Sequence, residues 1–558
     1  MAIHNKYWLL MIPCFFITLM IGFSSDQPIP IKQGDVAAAE NIIGLNFTAV
    51  ERDSLLQDLL DNRDSYNKIR EIVIPNQVPP AILFNPIPVH FKKSEQKDLL
   101  NLDPPQHLNV PANKEELCFY SVRDLGELIR TRQITSLELT RLFLNRLKKY
   151  DPQLKCVITL TEDLALAEAQ AADDEIAAGK YRGPLHGIPY GAKDLLAVRG
   201  YKTTWGAMPY KDQMLDQDAT VVKKLRAAGA VLVAKMTLGA LAWGDVWYAD
   251  TTHNPWNLQQ GSSGSSAGSA AATAAGLLPF AIGSETWGSI VSPSTRCGTT
   301  GLRPTYGRVS RTGAMALSWS MDKLGPLARS AEDCAIIFKA IYGPDEDDQT
   351  LYDFPYHYDS ALDLRQLKVG YLKSAFEEKY DNKQFDEASL DVFREQLKIN
   401  LLPVAIPSLP IQSLAFILNA EAAAAFDDLT RSNRDDLMVR QVRDAWPNVF
   451  RASHFIPAVE YIQANRVRYT LVQEMARLFE QVDLYIAPSF AEDNLLLTNL
   501  TGHPCVVLPN GFNQQGSPVS ISIIGNLFEE GKILALANAY QKLTPFNKKH
   551  PPMFSAAK

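Results

Sequence analysis

The residues best suited to chemistry lie in one Gly- and Ser-rich stretch, Gly261 to Gly307, which reads GSSGSSAGSAAATAAGLLPFAIGSETWGSIVSPSTRCGTTGLRPTYG. A serine hydroxyl becomes an effective nucleophile only when a base takes its proton. Glycine-rich turns beside a buried element can also aim backbone N–H groups at a substrate oxygen. The Gly/Ser part runs directly into AAATAAGLLPFAIG, an apolar helix and strand that must be buried. A flexible Gly/Ser linker would have no such continuation.

Two short motifs inside this stretch point elsewhere and fail on their context. Gly264-Ser265-Ser266-Ala267-Gly268 matches G-x-S-x-G, the strand-to-helix elbow that exposes a nucleophilic serine in α/β-hydrolases. That elbow needs a strand directly before Ser266, and HNPWNLQQGSSG does not read as one. A phosphate-binding P-loop is excluded because no lysine follows the glycines. Upstream, Lys193 is followed by Asp194. On composition alone such a pair reads as a surface ion pair, protonated near its ordinary pKa of about 10.4.

The surrounding elements read as α/β. Ser121 with Asp124 and Thr135 with Glu138 mark two helix starts, since such pairs satisfy free N–H groups. An Ala-rich helix covers about Leu164–Ala178. GIPYGAKDLLAV reads as a strand with its exit turn, DATVVKKLRAAG as a helix and AVLVAK as a strand, which is a βαβ alternation. LKVGYL, VAIP, VDLYIAP, PCVVLP and SISIIG read as later strands. Helices are expected at Phe385–Ile399, Leu414–Leu429, Val459–Phe479 and Leu534–Leu543. The expected architecture is a mixed central β-sheet between helical layers, with an N-terminal arm.

At these residues the chain resembles the amidase signature family. The resemblance is carried by Gly264-Ser265-Ser266-Ala267-Gly268-Ser269-Ala270-Ala271-Ala272, by Thr286-Trp287-Gly288-Ser289-Ile290, and by Cys297-Gly298 with Gly301 to Ser310, GLRPTYGRVS. Upstream, Gly187-Ile188-Pro189-Tyr190-Gly191-Ala192-Lys193-Asp194 matches the family's G-[IV]-P-x-x-x-K-D, and GHPCVVLPNGF with GSPVSISIIG resembles its closing segment. The resemblance spans roughly Glu115 to Leu543 and implies a single large amidase-signature domain. It also implies a Ser-Ser-Lys triad that cleaves amide C–N bonds through an acyl-enzyme. Lys193 would be the base, Ser265 the relay and Ser289 the nucleophile. The oxyanion hole would be the backbone N–H groups of Thr286, Trp287, Gly288 and Ser289, and Gly264 and Ser266 would support them. The family further implies a cis bond at Gly264–Ser265, no cofactor and no metal. Burial among Ile188, Pro189, Leu195 and Leu196 would lower the pKa of Lys193 enough to make it a base.

Three departures stand out: Trp287 where the family usually has Gly, Glu285 where it has Asp, and Val291 where it has Arg. Trp287 either narrows the acyl pocket or points into the core. The implied substrate is a small-molecule or peptide amide. The family also contains the glutamine-hydrolysing components of amidotransferases, which use the same triad for a partner, and a catalytically silent binding relative is the third alternative.

The chain has 558 residues, 46% apolar and 21% charged, with a net charge of −7. It lacks the basic surplus of a nucleic-acid binder. Lys6 precedes an apolar run over residues 7–23, followed by Ser24 and Ser25. This reads as a secretory signal, or else a retained membrane anchor, and implies an exported (periplasmic or secreted) protein. Residues 1–24 are therefore assigned to a signal peptide or anchor. Residues 25–114 form an N-terminal extension, residues 115–545 the amidase signature domain and residues 546–558 a tail. Within the extension, 25–45 reads as a tether and about Thr48–Ile72 as an amphipathic helix. The Pro-rich stretch from Pro75 to Pro111 reads as an extended arm held on the body by Ile82, Leu83, Phe84 and Phe91. Beyond Cys14 the five cysteines are widely spaced, with neither a zinc pattern nor a disulfide scaffold, and read as buried thiols. Asn46-Phe47-Thr48 and Asn499-Leu500-Thr501 match glycosylation acceptors.

Overall fold

The computed structural model describes residues 30–104 and 108–555, so the apolar run at 7–23 lies outside the described residues. The chain divides into two compact units, Met1–Val73 and Ile74–Lys558. Among the described residues, no helix is long and apolar enough to cross a membrane.

Among the described residues the first unit contains two helices, Gln33–Ile43 and Ala49–Arg70. The first helix replaces the expected tether. Its Ala-rich run has high helix propensity, Asp35 sits in the first turn, and Gly44 closes the end in the left-handed conformation. Glu40 and Arg52 join the two helices through a pair of 2.7 Å hydrogen bonds.

The second unit is built on an eleven-stranded sheet. In chain order its strands are β1 (Val157–Leu160), β2 (Pro189–Lys193), β3 (Val231–Met236), β4 (Phe280–Glu285), β5 (Thr300–Arg303), β6 (Lys323–Ala328), β7 (Val369–Leu372), β8 (Leu401–Val404), β9 (Leu484–Pro488), β10 (Cys505–Phe512) and β11 (Pro518–Gly525). The spatial order is β8-β7-β9-β11-β10-β5-β6-β4-β2-β3-β1. β2 lies parallel to both β3 and β4, while the centre from β9 to β4 is antiparallel. The sheet is mixed and lies between helices.

Alternation along the strands divides the core. Phe280 and Ile282 of β4 join one apolar cluster and Ala281 the other; Leu232 of β3 likewise separates from Val231 and Val233. The two expected helix starts are present: Ser121 accepts the Asp124 N–H and Thr135 the Glu138 N–H, each at 3.0 Å. The Leu414–Leu429 helix is broken at Phe426 into Phe416–Ala425 and Asp427–Arg431. The strand expected at VAIP ends at Val404 and starts earlier, at Leu401. Cys118, Cys156, Cys297, Cys334 and Cys505 are free and buried.

The Pro-rich arm belongs to the second unit and lies on it. Phe84 packs edge-on against Tyr306, with the Arg468 guanidinium 3.6 Å above its ring. Asn76 exchanges hydrogen bonds with the backbone of Ala316 at 2.8 and 2.9 Å. The apolar anchors differ from those expected: Ile82 and Leu83 are exposed, Phe84 and Phe91 are half-buried, and Pro86 and Pro88 are buried in their place. Clustered prolines prevent a regular alternation, so sequence spacing does not reveal which residues turn inward. The C-terminal tail also packs inward, burying Phe554 against Tyr150 and placing its carbonyl 2.7 Å from Arg146.

Candidate active site

Lys193 is the last residue of β2, and the parallel pairing with β4, in which Ala192 lies opposite Ile282, brings its side chain within reach of Ser284. The carboxyl ends of parallel strands are where open α/β sheets collect ligands. Its Nζ lies within hydrogen-bond distance of three hydroxyls, Ser265 Oγ at 2.8 Å, Ser284 Oγ at 2.8 Å and Ser266 Oγ at 3.2 Å. Lys193 is fully buried, and among the described residues no carboxylate lies within salt-bridge distance of it. The surface ion pair read from composition is therefore corrected: Asp194 is buried too and pairs with Lys235 at 2.6 Å. Burial pushes the Lys193 pKa well below its ordinary 10.5, against the weaker opposing pull of Asp322 and Glu285. Burial without a carboxylate partner disfavours the ammonium form, and a deprotonated amine can accept a proton.

Ser265 and Ser266 stand immediately before the helix Ala267–Ala274. The Gly264–Ser265 bond is cis, as the family resemblance implies. A Cβ on Gly264 would fall 1.8 Å from the Gly244 carbonyl oxygen, so no other residue fits there. Ser266 is not an exposed elbow nucleophile. It is fully buried, donates to the Ser284 carbonyl and accepts the Ser284 N–H, both at 3.1 Å.

Ser289 sits on the turn that leaves β4. Its carbonyl accepts the Ser266 N–H at 3.1 Å, which ties the turn to the helix start. Among the described residues its Oγ has no hydrogen-bond partner, on Ser265 or elsewhere, and the residue is 8% exposed. Catalytic hydrogen bonds are often long in unliganded enzymes and tighten around substrate. The N–H groups of Thr286, Trp287, Gly288 and Ser289 likewise find no acceptor among the described residues. Gly288 makes this turn possible with a φ of +82°. The turn thus presents unpaired donors beside an unpaired hydroxyl, the arrangement that stabilises an oxyanion.

In the sequence Glu285 stands out only as a departure, yet it organises this turn. Its carboxylate accepts the N–H groups of Ile290 and Val291 at 2.8 and 3.0 Å, the Arg303 guanidinium at 2.8 Å and Asn499 Nδ2 at 2.9 Å. Burial would raise its pKa, but Arg303, the Val291 N–H and Asn499 together outweigh that and hold it at about 2. Asn499, read as a glycosylation acceptor, is wholly buried in this network and inaccessible to modification in the folded chain. Glu285→Ala leaves Arg303 buried and unpaired, so it should destabilise the protein by about 3–5 kcal/mol in denaturant unfolding. The wild-type contribution is present above the ordinary carboxylate pKa of 4.5 and is lost as pH falls from there towards 2. Ser284, the second hydroxyl on Lys193, is not anticipated by the sequence either. Its only signal is its position at the end of β4, opposite the end of β2.

Trp287 is 38% exposed, which removes the core alternative, and Val291 is buried in the core. A cavity of about 610 Å³ opens on the same turn, with Ser284 and Thr286 among its lining. Ser265, Ser289 and Trp287 are not part of its wall, so the cavity approaches the serines from the Thr286 side of the turn. Among the described residues, no group of three or more His, Cys, Asp or Glu side chains is placed to hold a metal ion.

The family model for amidases matches residues 138–498. The A-type component of the glutamyl-tRNA(Gln) amidotransferase from Methylococcus capsulatus is 34% identical over 479 residues, covering 77% of this chain and 98% of that protein. Its counterpart from Roseiflexus sp. is also 34% identical, covering 78% and 98%. Among solved structures, the native peptide amidase from Stenotrophomonas maltophilia aligns with a TM-score of 0.70 at 28% identity, covering 78% of this chain and 98% of that one.

Proposed function

The chain belongs to the amidase family, enzymes of amide C–N chemistry, and from that premise we propose that it hydrolyses carboxylic amides through an acyl-enzyme on Ser289. The observation that carries this reading is the buried Lys193 amine, 2.8 Å from Ser265 and with no carboxylate partner among the described residues. Ser289 Oγ attacks the amide carbon, and its proton passes through Ser265 to Lys193. The oxyanion rests on the unpaired N–H groups of the 286–289 turn. Return of the proton through Ser265 to the leaving nitrogen releases ammonia or an amine. Water then cleaves the acyl ester, restoring Ser289 and yielding a carboxylic acid.

A second reading, the glutamine-hydrolysing component of an amidotransferase, is favoured by the 34% identity to the curated relatives. The two separate on location and substrate. Export, which we propose from residues 7–23 alone, would part the chain from cytosolic partner proteins. Ammonia release from short aliphatic, aryl, fatty-acyl and C-terminal peptide amides, with glutamine in parallel and excess chelator in a matched arm, tests both readings. Hydrolysis of an acyl or peptide amide by the isolated chain, unaffected by chelator, is the expected result. Release from glutamine alone would favour the second reading, and release from none would refute both.

A further inference from the structure

The cavity beside the 286–289 turn has one wall that lies outside the family match. Gln77, Pro79, Pro80, Ala81 and Leu83 of the Pro-rich arm line it, together with Leu195, Met315 and Leu317 of the body. The arm is fixed there by Asn76, whose side chain bonds both the N–H and the carbonyl of Ala316, itself a lining residue, and also the carbonyl of Ala425. A few residues on, Phe84 is clamped between Tyr306 and Arg468, and Asn85 accepts the Tyr352 hydroxyl at 2.9 Å. Both ends of the lining segment are thus anchored on the body. A volume near 610 Å³ lies within the ~300–1,000 Å³ typical of small-molecule sites.

The charges on the wall restrict what can enter. Among the described residues the lining carries three carboxylates, Asp322, Asp347 and Asp348, against one cation, Arg311. Arg311 is already engaged by the Trp319 carbonyl, Tyr306 Oη, Thr350 Oγ1 and Asp348. Asp322 is held by Thr286 Oγ1 and by the N–H groups of Leu317 and Ser318. A ligand carboxylate would therefore meet repulsion with no free cation to offset it, whereas an apolar body meets Leu, Met and Pro side chains.

We propose that the arm segment Gln77–Leu83 is part of the substrate site, and that the site takes amides with an apolar body and no free carboxylate. The body of the substrate lies in the cavity, and its amide carbonyl reaches the 286–289 turn. This deepens the amidase reading and rests on it.

The test is equilibrium binding by calorimetry, using the full chain carrying Ser289→Ala so that no turnover intervenes. The probes are phenylacetamide and its matched anion, phenylacetate. Phenylacetamide should bind at least tenfold more tightly than phenylacetate. Ala81→Trp, which fills the cavity from the arm, and Asn76→Ala, which releases the arm, should each weaken phenylacetamide at least tenfold while thermal midpoints stay close to the parent. Equal affinity for amide and anion would overturn the charge selection. Affinity unchanged by either arm variant, or no binding of phenylacetamide to the parent, would overturn the arm's place in the site. These outcomes do not depend on catalysis, so a failed ammonia assay with intact binding would count against the amidase reading alone.

Discussion

Ser289→Ala should lower kcat by roughly 10^4-fold or more while leaving the fold intact. Triad members act as a unit, and loss of the nucleophile removes the covalent route altogether, which sets that scale. The stability side of the prediction comes from the geometry. The Ser289 hydroxyl has no hydrogen-bond partner among the described residues, and the backbone carbonyl that ties the turn to Ser266 survives the substitution. The substitution leaves no buried polar group without a partner, so the change in stability should be small, about 1 kcal/mol or less. Ammonia release and denaturant unfolding on the same preparation read both quantities. Retention of a tenth of the activity would remove Ser289 from the chemistry. A large loss of stability would make it a structural residue.

Lys193→Met should lower kcat/KM by about 10^2–10^4-fold, the range for loss of a general base. It should also remove a proton-linked slope from stability. In the native chain burial holds the Lys193 pKa well below 10.5, so between the two values the unfolded state binds one more proton than the native state. Stability from this group therefore rises with pH across that window, by one proton's worth, and the variant lacks the rise. Lys323 is also buried with a lowered pKa, so the difference between wild type and variant isolates the Lys193 contribution. In the wild type kcat/KM should fall on the acid side as the amine becomes protonated. A variant with the same pH slope of stability as wild type would mean that Lys193 is charged in the native state and cannot serve as the base.

The site is legible in the sequence where its parts are contiguous. Ser265, Ser289 and the 286–289 turn lie within one stretch, and Lys193 ends a strand whose apolar flanks signal burial. The groups that hold these residues in place are not legible, because they meet only through sheet register. Ser284 reaches Lys193 because β2 and β4 run parallel, Arg303 reaches Glu285 from the next strand, 18 residues on, and Asn499 reaches it from a helix 214 residues along the chain. β6 is hidden for a local reason. Its sequence, KLGPLA, carries a glycine and a proline, which argue against a central strand, yet it pairs with both β4 and β5. In the N-terminal unit the Ala-rich helix Gln33–Ile43 reads as a tether because it has few large apolar residues to reveal a period.

Trapping the covalent intermediate shows which serine carries the acyl group. The enzyme is mixed with a slowly hydrolysed amide, quenched in acid, digested and read by mass spectrometry. An acyl-sized mass increase is expected on the peptide containing Ser289, absent from Ser289→Ala. Turnover without any adduct, or an adduct on Ser265 or Ser266 instead, would contradict Ser289 as the nucleophile.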